Sequence, residues 1–139
     1  MTYDLERFVA AQNAGGTYEQ ALAELRAGRK TTHWIWFVFP QIAGLGRSGV
    51  AQRYAITDLD EARAYLTHPV LGPRLVTAGE SVITHRDRTA EEILGGIDAI
   101  KLRSSMTLFA HADGSQTVFR TVLDTFFDGE EDPATLERI

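Results

Sequence analysis

The sequence predicts a mainly α protein, a single compact multi-helix domain packed around a buried aromatic stretch, with residues 1–139 forming one helical domain. Three observations predict it. Apolar residues recur at helical spacing along most of the chain, most clearly at Phe119, Val122, Leu123, Phe126 and Phe127. Helix starts and stops punctuate these runs, as in Thr17-Tyr18-Glu19-Gln20 before one helix and Gly28 after it. Finally, His33-Trp34-Ile35-Trp36-Phe37-Val38-Phe39-Pro40-Gln41 is apolar on every side and holds both tryptophans of the chain. An element without a polar face is buried on all faces, so this stretch is placed at the centre of the molecule.

The elements follow in order. Residues 4–13 read as a helix with Leu5, Phe8, Val9 and Gln12 on one face and Asp4 and Glu6 in its first turn. Thr17 to Gln20 read as a capping box opening a second helix, with Ala21, Leu22 and Leu25 inward and Gly28 as its stop. Residues 33–39 divide the signals. Their aromatic and β-branched content favours a strand, whereas their helical surroundings leave a strand nothing to pair with; the reading adopted is a helix ending before Pro40. A glycine loop and a short helix from Val50 to Ala55 come next. Thr57-Asp58-Leu59-Asp60 opens another helix with Leu59, Ala62 and Leu66 inward, and His68-Pro69 breaks it, Pro69 suiting the first turn of its successor. That successor carries Leu71, Leu75, Ala78 and Val82 on one face. Thr89-Ala90-Glu91-Glu92 is a second capping box, its short helix closed by Gly95-Gly96. From Lys101 to Ala110, Leu102, Met106 and Phe109 share one face, while Lys101, Ser104, Leu108 and His111 share a smaller, more polar one. Ser115 is read as the cap of the last long helix, Gly129 as its end, and Asp132-Pro133 as the start of a terminal turn that folds Leu136 and Ile139 back. The expected core is Phe8, Leu22, Trp36, Phe37, Leu75, Phe109, Phe119, Val122 and Phe126.

Composition narrows the function classes. The absence of cysteine excludes disulfides, thiolate metal sites and a cysteine nucleophile, and the net charge of -5 argues against a general nucleic-acid binder. No apolar run approaches the ~20 residues of a membrane span, and the N-terminus shows neither the basic nor the apolar region of a signal peptide. The expectation is a cytoplasmic protein, a monomer or weak homodimer, that does not bind membranes.

Gly44, Gly46 and Gly49 satisfy G-x-G-x-x-G. A dinucleotide fingerprint needs a strand before it and a long helix after it; Pro40 and the short following segment argue against both. The loop remains either a surface connection or an anion site in which Arg47, Ser48 and Arg53 add donors. His33 is the candidate for proton transfer, since imidazole titrates near neutrality, with a satisfied buried histidine as the alternative. The four histidines show no ligand spacing, so neither a metal nor another cofactor is expected. Trp34 and Trp36 could stack a planar ligand or simply fill the core. Lys101, Arg103 and Arg53 could hold phosphate or pair with surface carboxylates. Ser104 and Ser105 signal either close helix packing or a polar cleft.

Two functional readings result. In the first, His33, Trp34, Trp36, Gln41, Arg47, Arg53, Lys101, Arg103 and Ser104 contribute to a pocket for an anionic, nucleotide-type small molecule. In the second, the chain is a non-enzymatic helical interaction domain without a ligand pocket. A cleft shared by the His33 and Lys101 segments favours the first; burial of both tryptophans, with Lys101 on a distant face, favours the second.

Several blocks also carry a family resemblance. Asp4 to Phe8, Thr17 to Leu22, His33 to Gln41, Ala51 to Ile56, His68 to Gly72 and Lys101 to Phe109 resemble the bacterial family called domain of unknown function 1810, over nearly the whole chain. The blocks His-Trp-x-Trp-Phe and Lys-Leu-Arg-Ser-Ser-Met are specific to it. The resemblance implies a mainly helical single domain and no established activity. Some family members bear the automatic label calpastatin, but inhibitors of that kind are long, disordered and repetitive, whereas this chain is short and core-forming. In the order of its aromatic, lysine-containing and phenylalanine-rich segments, the chain is also distantly similar to the NADAR N-glycosidases, which act on ADP-ribose-type substrates through a motif with a catalytic glutamate. The matching place here reads Lys30-Thr31-Thr32-His33 without a glutamate, and no catalytic residue is carried over.

Overall fold

The computed structural model describes residues 3–139. Its helices are α1 (Glu6–Asn13), α2 (Thr17–Ala27), α3 (Ile35–Val38), α4 (Gly49–Arg53), α5 (Leu59–Thr67), α6 (Leu71–Ile83), α7 (Ala90–Leu94), α8 (Gly96–Ala112), α9 (Val118–Phe127) and α10 (Pro133–Leu136). No strand of any length forms among the described residues; the one β-type contact is an isolated parallel bridge between Ile42 and Ile56.

The aromatic stretch is helical, but only for the single turn of α3. Trp34, Ile35, Val38 and Phe39 are buried, while His33 is exposed and Trp36 and Phe37 are half-buried. The stretch therefore forms one wall of the core and not its axis. The axis is α8, which packs against α3, α5, α7, α9 and α10. Its residues Ser104 to Phe109 are all buried, and this is why the segment shows no clear amphipathic period. Rings surround it: Phe109 lies 5.3 Å from Tyr65 and 5.8 Å from Phe119, and Tyr65 in turn meets Phe8 edge-on at 5.1 Å. Of the expected core, Phe8, Leu75, Phe109, Phe119 and Val122 are buried, whereas Leu22, Trp36, Phe37 and Phe126 pack only against its edge.

Several local expectations are corrected. Thr17 does not cap α2. Gly15 and Gly16 both adopt positive φ (60° and 69°), so the chain enters the helix through a tight left-handed turn in which Thr17 is already helical and its hydroxyl donates back to the Ala14 carbonyl at 2.6 Å. Pro69 lies ahead of α6, whose first amides at Val70 and Leu71 donate instead to His68 Nδ1. Ser115 is held by Asp113, and the first turn of α9 is met by Gln116, whose side-chain oxygen accepts from Val118 N. Leu136 is 40% exposed, although Ile139 does pack on the core. Other signals agree with the structure: Thr89 and Glu92 form the reciprocal capping box, Asp58 caps α5, and Gly28 ends α2 in the left-handed region with φ 76°. α5 and α6 approach so closely that a Cβ on Gly72 would sit 2.1 Å from the Leu66 carbonyl oxygen.

Candidate functional site

The segment between α2 and α3 is fixed by a carboxylate. Glu24, on the inner face of α2 beside Ala21 and Leu25, is 5% exposed. Its Oε1 accepts from the backbone N–H of Thr31 at 2.7 Å, that of Thr32 at 3.0 Å and the Trp34 indole N–H at 3.0 Å. Its Oε2 accepts from the Thr32 hydroxyl and from Gln20 Nε2. Burial pushes the Glu24 pKa upward, but these bonds, led by that of the Thr32 hydroxyl, outweigh it and hold the group well below the usual carboxylate range. Glu24 thereby turns Trp34 into the core and leaves His33 on the outside of the same loop, with the Lys30 side chain largely covered.

Lys30 and Lys101 then share one partner. Lys30 Nζ lies 2.8 Å from Asp98 Oδ2, and Lys101 Nζ lies 3.6 Å from Asp98 Oδ1, one turn earlier on α8. Each ammonium also sits 5.2 Å from a tryptophan ring, Lys30 over Trp34 and Lys101 over Trp36. Two cations therefore face one carboxylate, and both are held in place by ring faces.

This ridge separates two depressions. One, of about 360 Å³, is lined by Lys30, His33, Leu94, Ile97 and Asp98. The other is a cleft of about 280 Å³ walled by Gln41, Leu45, Ile97, Lys101, Ser104 and Asp132. Gln41 also borders a smaller cavity of about 110 Å³ that runs under the glycine loop between Trp36 and Tyr54. The lip between the two depressions is apolar and open: Ile97 is 75% exposed and Ile100, which lines the cleft, is 65% exposed. In the cleft wall, Ser104 Oγ lies 2.7 Å from Asp132 Oδ2 and 3.1 Å from the Ile100 carbonyl, which share its single proton. Thr135 also donates to Asp132 Oδ2, at 2.6 Å. Burial raises the Asp132 pKa, but the bonds from Thr135 and Ser104 more than offset it, and the carboxyl stays below its ordinary range.

The structure thus gathers Trp36, Gln41, Lys101 and Ser104 around two adjoining spaces that share Gln41 and Gly46, with His33 across the Asp98 ridge. It does not gather the rest. Trp34 is fully buried. Arg47 is exposed and outside these spaces, and Arg53 stacks on Tyr54 at 5.6 Å from the ring centre. Arg103 donates to the Glu130 and Glu131 carbonyls at 2.9 and 2.7 Å and so ties down the chain before α10. Within the glycine motif, Gly46 packs on α4, where a Cβ would meet that of Ala51 at 2.4 Å, and Gly44 has φ 99°. One of these glycines serves packing and another a turn; a one-turn helix precedes the motif and a five-residue helix follows it, which is no dinucleotide fold. Glu24, Asp98 and Asp132 escaped the sequence reading. Glu24 was detectable as a carboxylate on an apolar helix face, at i+3 from Ala21; Asp98 and Asp132 carried only helix-start signals.

No group of three or more histidine and acidic side chains among the described residues could hold a metal ion. No helix of the described residues is long and apolar enough to cross a membrane.

The family model described as Protein of unknown function (DUF1810) matches residues 2–139. The chain belongs to the DUF1810 family. Among solved structures, the conserved hypothetical protein Rv1873 from Mycobacterium tuberculosis is 49% identical and superposes with a TM-score of 0.94, covering 97% of this chain and 95% of that one. No curated protein matches the sequence. This DUF1810 chain and its mycobacterial relative thus share one helical fold, and neither description names a reaction.

Proposed function

We propose that this DUF1810 protein binds a small, anionic, nucleotide-type molecule in the cleft between the Trp36–Gly46 segment and the first half of α8. The carrying observation is the placement of Lys101: its ammonium is fixed over the Trp36 ring, 5.2 Å from the ring centre, on the wall of a cleft that also presents Gln41 and Ser104. A cation held in place by a ring face and by Asp98 loses little freedom when it meets an anion. Ile97, Ile100 and Leu45 add apolar surface against which a planar ring can lie.

Hydrolysis is not part of the proposal. Glu24, which lies beside the Lys30-Thr31-Thr32-His33 segment, is saturated with donors and anchors the loop, so it has no lone pair directed at a substrate. His33 is exposed across the ridge from Lys101, where its ring nitrogens can hydrogen-bond an extended ligand.

The test is a titration with ADP and ADP-ribose, followed by melting temperature and by tryptophan fluorescence. At ten times Kd, binding to the native state alone stabilises by about 1.4 kcal/mol, a Tm rise of roughly 3–6 °C for a domain of this size. Lys101→Ala should remove most of that rise and His33→Ala part of it, with the unliganded Tm nearly constant. Because Trp34 is buried, the fluorescence change should vanish in Trp36→Phe. No rise and no fluorescence change at millimolar probe would overturn the pocket. The exposed pair Ile97 and Ile100 would then favour the interaction-domain reading.

A further inference from the structure

We infer that the cleft selects a ligand carrying hydroxyl groups beside its anionic group, as a ribose phosphate does, and that Asp132 is the residue that reads those hydroxyls. This rests on the pocket proposed above and goes beyond it in naming the sugar as the selected part.

The observation is a carboxylate where a simple anion site would have none. Asp132 shares the cleft wall with Lys101, Gln41 and Ser104. An anion placed anywhere in this space is attracted by Lys101 and repelled by Asp132. A ligand built only of phosphate gains little there. A ligand with hydroxyl donors at one end and phosphate at the other satisfies both groups, because an ionised carboxylate accepts hydrogen bonds and donates none.

The position is built and not incidental. Asp132 N donates to Thr107 Oγ1 at 2.9 Å, and Thr107 is buried in α8. The Ser104 and Thr135 hydroxyls both bond Oδ2, Ser104 from a site that is 2% exposed and Thr135 from one that is 0% exposed. Two Arg103 bonds fix the carbonyls of residues 130 and 131 immediately before it. The carboxylate is therefore oriented by two hydroxyls on buried residues and a backbone tied down at and just before it, which is the arrangement a specificity contact requires. Both hydroxyls meet at Oδ2, and the backbone N–H groups of Ala134 and Thr135 also favour the ionised carboxylate, so a ligand hydroxyl would use the acceptor capacity that Oδ1 retains. Gln41, on the facing wall, can donate to the same sugar or accept from it.

The test compares ADP with 2′,3′-dideoxy-ADP by calorimetry on the full chain. The wild type should bind ADP roughly ten- to a hundredfold more tightly, the value of one or two hydroxyl bonds to a charged acceptor. Asp132→Asn keeps the shape of the side chain and a carbonyl that can still accept from the Ser104 and Thr135 hydroxyls, and in this variant the preference should fall to about threefold or less. Equal binding of the two nucleotides by the wild type overturns the inference and leaves the pocket standing; that comparison does not depend on any variant folding. A wild-type preference that persists in folded Asp132→Asn also overturns the role of Asp132. Binding of neither nucleotide overturns the pocket itself, and the sugar selectivity with it.

Discussion

The two halves of α8 live in opposite surroundings. From Ser104 to Phe109 every side chain is buried, whereas from Gly96 to Lys101 only Ala99 is, and Ile97 and Ile100 project into solvent. One rigid element is thus the post of the core at one end and the wall of the candidate cleft at the other. Lys101 and Ser104 stand at the changeover, so the packing of the second half fixes the geometry of the first. Sites carried by helices locked in this way hold their groups more firmly than sites on loops.

The largest expected effect lies on the buried side. Phe119→Ala removes a fully buried ring that packs 5.8 Å from Phe109, and it should cost about 3–5 kcal/mol in urea unfolding. Ile97→Ala, on the open side, should stay within about 0.5 kcal/mol. Comparable losses in the two variants would mean that the first half of α8 is covered by something and that the contrast is false.

That contrast explains how much was legible in the sequence. α9 could be read directly, since Phe119, Val122 and Leu123 repeat at helical spacing and are buried. The mainly helical class was legible for the same reason, whereas the family blocks stood out by resemblance of their motifs. α8 was read only from Lys101 to Ala110, because a helix with one half buried on all sides and the other half exposed averages to no period. The sequence set the His33–Gln41 stretch against the Lys101 helix without saying that Lys101 would lie over Trp36, and its partner Asp98 was not foreseen: an aspartate near a helix start looks like any dipole-favoured acid. Asp132 was hidden by distance, since Ser104 lies 28 residues before it in sequence and nothing local announces the bond. The failed caps at Thr17 and Ser115 have a common cause. A cap must itself be non-helical and stand at the helix boundary; after Gly15-Gly16 Thr17 is already helical, and the Asp113 turn leaves Ser115 two residues short of Thr117, which precedes α9.

A second comparison concerns two carboxylates, Glu24 and Asp98, that both hold the Lys30 loop. Glu24 does so from inside with hydrogen bonds to neutral donors. Glu24→Gln keeps the shape, and its carbonyl can replace Oε1 toward the Thr31, Thr32 and Trp34 N–H groups, but its NH2 then faces the Gln20 NH2 in place of Oε2, so one donor pair is left unmatched and the charge is lost; the cost should be about 2–3 kcal/mol. The pH dependence has a definite sign. The folded Glu24 pKa is depressed from the ordinary 4.5, so its stabilisation is present above that value and is lost progressively as pH falls below it. Wild-type stability should therefore decline on acidification below about pH 4.5, and Glu24→Gln should flatten part of that decline. An unchanged acid limb in the variant would show that Glu24 is not the group that titrates.

Asp98 works from a partly covered position by charge, with its side chain 17% exposed against lysine side chains that are 8% and 23% exposed. Partial exposure means partial screening, so Asp98→Asn should cost only about 1 kcal/mol at low salt. The loss should shrink as ionic strength rises, because the Debye length falls from about 10 Å at 0.1 M to about 3 Å at 1 M. The Glu24→Gln loss should barely respond to the same change, since its partners are neutral and out of the solvent. Chemical unfolding with urea, an uncharged denaturant, at both salt concentrations separates the two. A salt-independent Asp98→Asn loss would place Asp98 with Glu24, as a hydrogen-bond anchor of the loop. A salt-dependent one leaves it as the charge that keeps two lysines side by side at the edge of the cleft, where neither would stay against the other's repulsion alone.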